Sequence, residues 1–268
     1  MKMITFFFFL ILFTPTIFSL TISQNTSLES SNNESEGRFG SSISVTNNYL
    51  VIGAPFENAQ NSDDGRVYVY KKNISDNLFY EIDNLTSSFS VIEGKFGSDV
   101  SIFGEFLVIG APRENGNQGR VHIFKRNTTT NRFNFLHSII SETPEFAGEY
   151  GSSISLYGDF LVVGALGEDD GDFGRGKAYL YKKNTSNDTF NLLQNISSPT
   201  QTFAGLFGTQ VFLYQDYLVI SAIGENSASG RVHIFKRNTT TDTFYNISQI
   251  ESPNAISGAG FGTSISLD

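Results

Sequence analysis

The chain has 268 residues, with 18 Lys and Arg against 27 Asp and Glu, and its formal charge of −9 is spread without a long basic run. That excludes the clustered cations on which nucleic-acid binding depends. It contains no Cys and no Trp, so disulfide scaffolds, thiol chemistry, iron–sulfur clusters and cysteine zinc sites are excluded together. With 25 Gly, 26 Phe and 11 Tyr, the composition fits a folded, β-rich chain.

The first element is a targeting segment. Lys2 precedes an apolar run from Ile4 to Phe13, broken only by Thr5, and Thr14-Pro15-Thr16 then leads to the small residue Ser19. This layout predicts a signal peptide over residues 1–19, with cleavage after Ser19 or Ser23. The apolar stretch ends by Phe18, short of the roughly 20 residues a spanning helix needs. A secreted or extracellular-surface protein is therefore expected, with membrane attachment only through an anchor beyond residue 268. A polar segment occupies residues 20–38.

From residue 39 onward the chain repeats. An aromatic-Gly pair occurs at Phe39-Gly40, Phe96-Gly97, Tyr150-Gly151, Phe207-Gly208 and Phe261-Gly262, at intervals of 57, 54, 57 and 54 residues. Fourteen residues after each of the first four aromatics stands Gly53-Ala54-Pro55, Gly110-Ala111-Pro112, Gly164-Ala165-Leu166 or Ser221-Ala222-Ile223. A Gly followed by Arg or Lys comes next, at Gly65, Gly119, Gly176 and Gly230, after spacings of 12, 9, 12 and 9. From there to the next aromatic is 31 residues every time, so one loop carries all the length variation. The segments 119–130 and 230–241 are identical, which points to duplication of a two-repeat unit.

Within a repeat the periodicity is that of strands. Ile154 and Leu156 alternate with Ser153 and Ser155 as in a half-buried strand, and Gly158-Asp159 supplies a tight turn. Phe160 to Val163 is continuously apolar, Ala178 to Tyr181 makes a third strand, and Phe190 to Ile196 a weaker fourth. Helical periodicity is absent. Four short antiparallel strands per unit, repeated in register, predict an all-β β-propeller of four-stranded blades. Its repeats cover 39–95, 96–149, 150–206 and 207–260, and residues 261–268 begin a fifth with its first strand.

The pattern Phe-Gly, fourteen residues, Gly-Ala-Pro, polar loop, Gly-Arg resembles the FG-GAP repeats of the integrin α-subunit N-terminal propeller, and more closely the short FG-GAP variety. The resemblance implies a binding or adhesion module. The seven blades of the integrin-like family imply that four repeats and a strand are part of a larger propeller. Calcium sites are not carried over, because the interval between Phe-Gly and Gly-Ala-Pro holds only short turns such as Asn47-Asn48 and Gly158-Asp159. No cofactor is expected.

Candidate sites are few. Glu57, Glu114, Glu168 and Glu225 each stand four residues after their second-signature position and would lie on one face as an acidic arc for a cationic partner. The plainer alternative has each accept backbone N–H groups of its own loop. A weak metal candidate is Asp169, Asp170 and Asp172 around Gly171, and Asp63-Asp64 is weaker still. His122 and His233 share a strand position with Tyr68 and Tyr179, where an aromatic role suffices; His137 belongs to an outer strand. No catalytic motif occurs, so catalytic residues are not assigned. Ten N-glycosylation triplets occur; Asn73, Asn127, Asn184 and Asn238 share one turn after the third strand, and Asn84, Asn195 and Asn246 are further candidates beside Asn25, Asn33 and Asn187. The expectation is a binding module for an extracellular protein or glycan, with an extracellular hydrolase (or accessory domain of one) and a structural coat component as alternatives.

Overall fold

The computed structural model describes residues 27–169 and 174–267. The proposed leader, its cleavage site and Asn25 lie outside the described residues. Among the described residues no helix is long and apolar enough to cross a membrane.

Among the described residues, sixteen strands form four antiparallel sheets of four, each in simple meander order. Blade 1 consists of β1 (Ser42–Val45), β2 (Tyr49–Ala54), β3 (Arg66–Lys72) and β4 (Phe79–Leu85). Blade 2 consists of β5 (Val100–Phe103), β6 (Phe106–Ala111), β7 (Arg120–Arg126) and β8 (Phe133–Ile139). Blade 3 consists of β9 (Tyr150–Tyr157), β10 (Phe160–Ala165), β11 (Lys177–Lys183) and β12 (Phe190–Ser197). Blade 4 consists of β13 (Phe207–Tyr214), β14 (Tyr217–Ala222), β15 (Arg231–Arg237) and β16 (Phe244–Glu251). The ladder between third and fourth strands slips at the same place in every blade, at Val69/Tyr70, Ile123/Phe124, Leu180/Tyr181 and Ile234/Phe235. A bulge repeated in register increases local twist.

The second strand of each blade is apolar on both faces because both faces are covered. Val51 and Val69 of blade 1 meet Val100, Ile102, Leu107 and Ile109 of blade 2 in one core. Equivalent cores join blades 2 and 3, around Ile123 and Leu161, and blades 3 and 4, around Leu180 and Leu218. Glycine permits the close approach: a Cβ on Gly53, Gly110 or Gly164 would lie 2.0–2.1 Å from the carbonyl oxygen of Gly97, Gly151 or Gly208 of the following blade. The aromatic-Gly pair of one repeat is thus seated on the Gly-Ala pair of the repeat before it.

The alternating serines of the first strands have a different role from the half-exposed one expected. Ser153 and Ser155 are buried, and their hydroxyls accept the backbone N–H groups of Val211 (2.8 Å) and Leu213 (2.9 Å) in the next blade. Ser44 and Ser101 accept those of Ile102 (3.1 Å) and Leu156 (2.9 Å) in the same way. A first strand is the edge of its sheet, and the preceding blade satisfies its free N–H groups.

Two further features depart from expectation. The nine-residue spacings contain a four-residue helical turn, Glu114–Asn117 and Glu225–Ala228, with left-handed residues inside each. Residues 261–267 do not form the expected first strand of a fifth blade: they follow turn, bend and irregular backbone. A strand is defined by its ladder, and no second strand stands beside this one to make it. Phe261 nevertheless takes the place of Phe96, Tyr150 and Phe207, its carbonyl oxygen 2.2 Å from where a Cβ on Gly230 would be.

Candidate functional site

An antiparallel meander sends its first and third connections to one rim of the blade stack, the turn rim. Its second connection and the link to the next blade go to the other, the loop rim. The four glutamates all belong to the loop rim, where the loop between second and third strands closes by one bond whatever its length. The backbone N–H of Gly65, Gly119, Gly176 and Gly230 donates to the carbonyl oxygen of Glu57 (2.9 Å), Glu114 (2.9 Å), Glu168 (2.8 Å) and Glu225 (3.0 Å).

The glutamate side chains do not form an exposed arc. All four residues have 0% exposure, and the carboxylates point inward to the third strand. Tyr68 donates to Glu57 at 2.6 Å, and Tyr179 donates to Glu168. The Nε2–H groups of His122 and His233 donate to Glu114 and Glu225, each at 2.9 Å. The carboxylates of Glu57, Glu114 and Glu225 also meet Arg66 (3.4 Å), Arg120 (3.2 Å) and Arg231 (3.2 Å). A serine nine residues before the aromatic-Gly pair completes three of the clusters: Ser30 donates to Glu57 at 2.5 Å, Ser198 donates to Glu225, and Ser141 donates to the Tyr179 hydroxyl at 3.1 Å. The partners are therefore side chains from neighbouring elements, which differs from the own-loop backbone alternative as well as from the arc. A buried charge has to be paired and hydrogen-bonded; each clamp ties its loop to the third strand in this way, and the three with a serine add the segment before the aromatic-Gly pair.

Serine, histidine and glutamate side by side suggest acyl-transfer chemistry, but the connectivity is different. In blade 4 the serine and the imidazole both bond to the carboxylate, whereas a nucleophile must bond to the imidazole. The aromatic role foreseen for the two histidines is also present, with ring centroids 5.1 Å apart for His122 and Phe96 and 5.6 Å for His233 and Phe207. Burial raises the Glu168 carboxyl, against bonds from Ser141 and Tyr179 that lower it, with a net upward shift. Burial likewise acts upward on Glu225, but bonds from His233, Ser198 and Thr200 outweigh it and hold the group below its ordinary value. Burial pushes Asp99, at the start of β5, up to about 7, opposed by backbone bonds from Ile154 and Val100. His137 is half-buried and lowered by desolvation.

Of the weak metal candidates, Asp169 has an oxygen taken by the backbone N–H of Arg175 at 2.9 Å, and Asp170 and Asp172 lie outside the described residues. Among the described residues no group of three His, Cys, Asp or Glu side chains could hold an ion. Asp64 accepts the N–H groups of Ala59, Gln60 and Asn61 at 2.7–3.0 Å, together with the Ser90 hydroxyl, and closes its own loop.

The sequon asparagines Asn73, Asn127, Asn184 and Asn238 all stand exposed on the turn rim. In each, the side-chain oxygen accepts the backbone N–H of the sequon's own Ser or Thr at 2.9 Å. Asn33, Asn84, Asn187, Asn195 and Asn246 are exposed as well.

Sequence reading missed the clamp as a unit. Its signal was present: wherever the loop glutamate occurs, the third strand offers Tyr or His, residue types that share a ring and a hydrogen-bond donor.

Sheets of four antiparallel strands, stacked face to face at a fixed sequence period, define a repeat protein built of propeller-type blades. The FG-GAP repeat family model matches residues 22–70, 85–124 and 145–181, so the chain carries FG-GAP repeats in these three segments. The fourth repeat lies outside the matched segments. A crystal structure of a Lactobacillus plantarum protein is similar at a TM-score of 0.48 and 16% identity, covering 80% of this chain. The chain spans 57% of the length of that protein. No curated protein matches the chain.

Proposed function

We propose that this protein is a secreted or surface-displayed, N-glycosylated FG-GAP propeller module that binds an extracellular protein or glycan through its loop rim and carries out no catalysis. One observation carries the reading. The side chains best suited to chemistry, the four loop glutamates with their serines and histidines, are spent on holding the loops, while the loops themselves face outward. Loops held by a rigid scaffold are where binding residues concentrate. The turn rim suits glycans, since its four asparagines are exposed in one repeated geometry.

The test is expression of the full chain in a secreting eukaryotic cell, followed by probing of extracellular-protein and glycan arrays with the purified product. Saturable binding, with a mass that falls on glycosidase treatment, is expected. Hydrolysis of an ester or glycoside by the homogeneous protein, with no array ligand, would favour the hydrolase instead.

A further inference from the structure

Residues 261–267 repeat the start of the first blade almost letter for letter. They differ from residues 39–45 only in Thr263 for Ser41 and Leu267 for Val45. Both segments carry a left-handed glycine, with φ of 95° at Gly262 and 92° at Gly40. Yet Ser42–Val45 form β1, paired with β2 from Ser42↔Gly53 to Val45↔Leu50, whereas residues 264–267 have no ladder.

The later segment is seated only at its beginning. The Phe261 N–H donates to the Ser229 carbonyl at 2.7 Å, as Phe96 does to Asp64 and Phe207 to Arg175, each at 2.9 Å. A Cβ on Gly262 would press on Val232 as one on Gly97 would on Val67, both at 2.8 Å. Beyond that point the grip fails for a chemical reason. In blades 1 to 3 a first-strand serine, Ser44, Ser101 or Ser155, accepts an N–H of the following first strand. The equivalent residue of blade 4 is Phe212, whose side chain has no acceptor to offer Leu267.

Two apolar faces are exposed as a result. On blade 4, Val219, Ile234 and Ile250 line a cleft of about 310 Å³ together with Phe261, Ile265 and Leu267. Ile250 is 47% exposed, against 3% for Ile196, its equivalent in blade 3. On blade 1, Leu28, Phe39, Ile43, Leu50 and Ile52 line a second cleft, of about 490 Å³. Ile43 and Val45 are 61% and 63% exposed, against 2–6% for their equivalents in blades 2 to 4. These are the positions that meet at the three internal blade junctions. Among the described residues no core joins blade 4 to blade 1, so one chain does not bring its own two faces together.

We propose that two copies of this chain associate by strand exchange, residues 261–267 of one taking the place of β1 in the other and pairing with its β2. By the register of β1, Ser264 would stand opposite Gly53 and Leu267 opposite Leu50 of the second copy. The pairing that β1 gives up is returned by a segment of nearly the same sequence. The gain is burial of both apolar faces as blade 4 packs on the neighbouring blade 1, and exchange of an equivalent element is a low-cost route to association. Ser266 then stands where Ser44 accepts the N–H of Ile102, so the next blade keeps its acceptor. This goes beyond the binding-module reading and does not rest on it.

The test combines sedimentation velocity with disulfide trapping on the full chain. Wild type should sediment as a dimer or larger at micromolar concentration. Ile265→Asp with Leu267→Asp should weaken association about tenfold or more while keeping the wild-type circular dichroism spectrum, since a charge is then placed in the apolar contact. The chain has no Cys of its own. Mixing the Leu50→Cys and Leu267→Cys variants under mild oxidation should therefore give a linked pair holding one of each, at a yield that neither variant reaches alone. A strictly monomeric wild type, undiminished association of the Asp variant, or absence of the mixed pair would each overturn the proposal. So would a disulfide formed within single chains that carry both cysteines, which would mean ring closure inside one copy.

Discussion

The two rims of the blade stack are made by the same repeats and treat charge in opposite ways. On the turn rim, ionised side chains remain at the surface and join neighbours: Arg126 meets Glu105 (3.3 Å), Lys183 meets Asp159 (2.8 Å) and Arg237 meets Asp216 (3.0 Å) within blades. Lys125 with Asp188 and Lys182 with Asp242, each at 2.5 Å, bridge consecutive blades. On the loop rim the carboxylate nearest the sheet is turned inward, fully buried and bonded to a third-strand Tyr or His, with an Arg beside three of the four. A pair in water contributes little, and a buried pair is costly to break. The turn rim is therefore tolerant and uniform. The loop rim is held so firmly from below that its length and charge can vary above the clamp.

Breaking the clamp should have the largest effect. Glu225→Ala leaves His233, Ser198 and Arg231 without their common acceptor inside the protein, with an expected loss of about 3–5 kcal/mol measured by denaturant unfolding. Asp216→Ala on the turn rim should cost less than about 1 kcal/mol, in line with an exposed pair. Equal losses in the two variants would erase the distinction between the rims.

Next in size is Gly164→Ala, whose new methyl would meet the Gly208 carbonyl oxygen at 2.1 Å. The contact is to backbone, so blades 3 and 4 must part. Lower stability and earlier hydrogen exchange in β13 are expected, and an unchanged midpoint would contradict the seating of blade on blade.

Asp99 should show a pH dependence of definite sign. Its carboxyl is raised to about 7 from an ordinary 3.8, so its stabilising contribution is complete below about 4 and is lost as the pH rises through 7. The equivalent residue of blade 3 is Ser153, which binds a backbone N–H without charge. Asp99→Ser should therefore raise the unfolding temperature at pH 8 more than at pH 4. For Glu225 the sign is reversed: its lowered value makes its contribution present at neutral pH and lost as the pH falls through the folded-state value.

The smallest effect belongs to the sequon turns. Asn238→Gln removes the 2.9 Å turn bond and the glycan acceptor together, and should change stability by less than about 1 kcal/mol while lowering the secreted mass by one glycan. A large stability loss would mean that the turn rim is not the tolerant one.

Blade number, strand order and the variable loop were legible because glycine and aromatic spacing records where backbones touch, as at Gly110 against Gly151 and Gly119 against Tyr150. The clamp was only half legible. Glu225 and His233 are near in sequence, but Ser198 lies 27 residues upstream of Glu225, and only the folded blade joins them. The burial of the glutamates could not be inferred from a polar loop, since it depends on the third strand presenting a donor on the correct face. Ser153 and Ser155 alternate as a solvated strand would, and their use as acceptors for the next blade appears only once two blades are packed. Residues 261–267 have a strand's pattern, but pairing is a property of two segments.

The account holds that binding belongs to the loop rim and that the turn rim is dispensable for it. The most direct test is to probe one extracellular-protein and glycan array with three forms of the full chain: wild type, a corner variant with the exposed inter-blade loop residues Ile92, Phe146 and Phe203 all changed to Ser, and a variant with Lys71, Lys125, Lys182 and Lys236 all changed to Ser. The account predicts that any ligand of the wild type is lost by the corner variant and kept by the lysine variant. Retention by the corner variant together with loss by the lysine variant would contradict it.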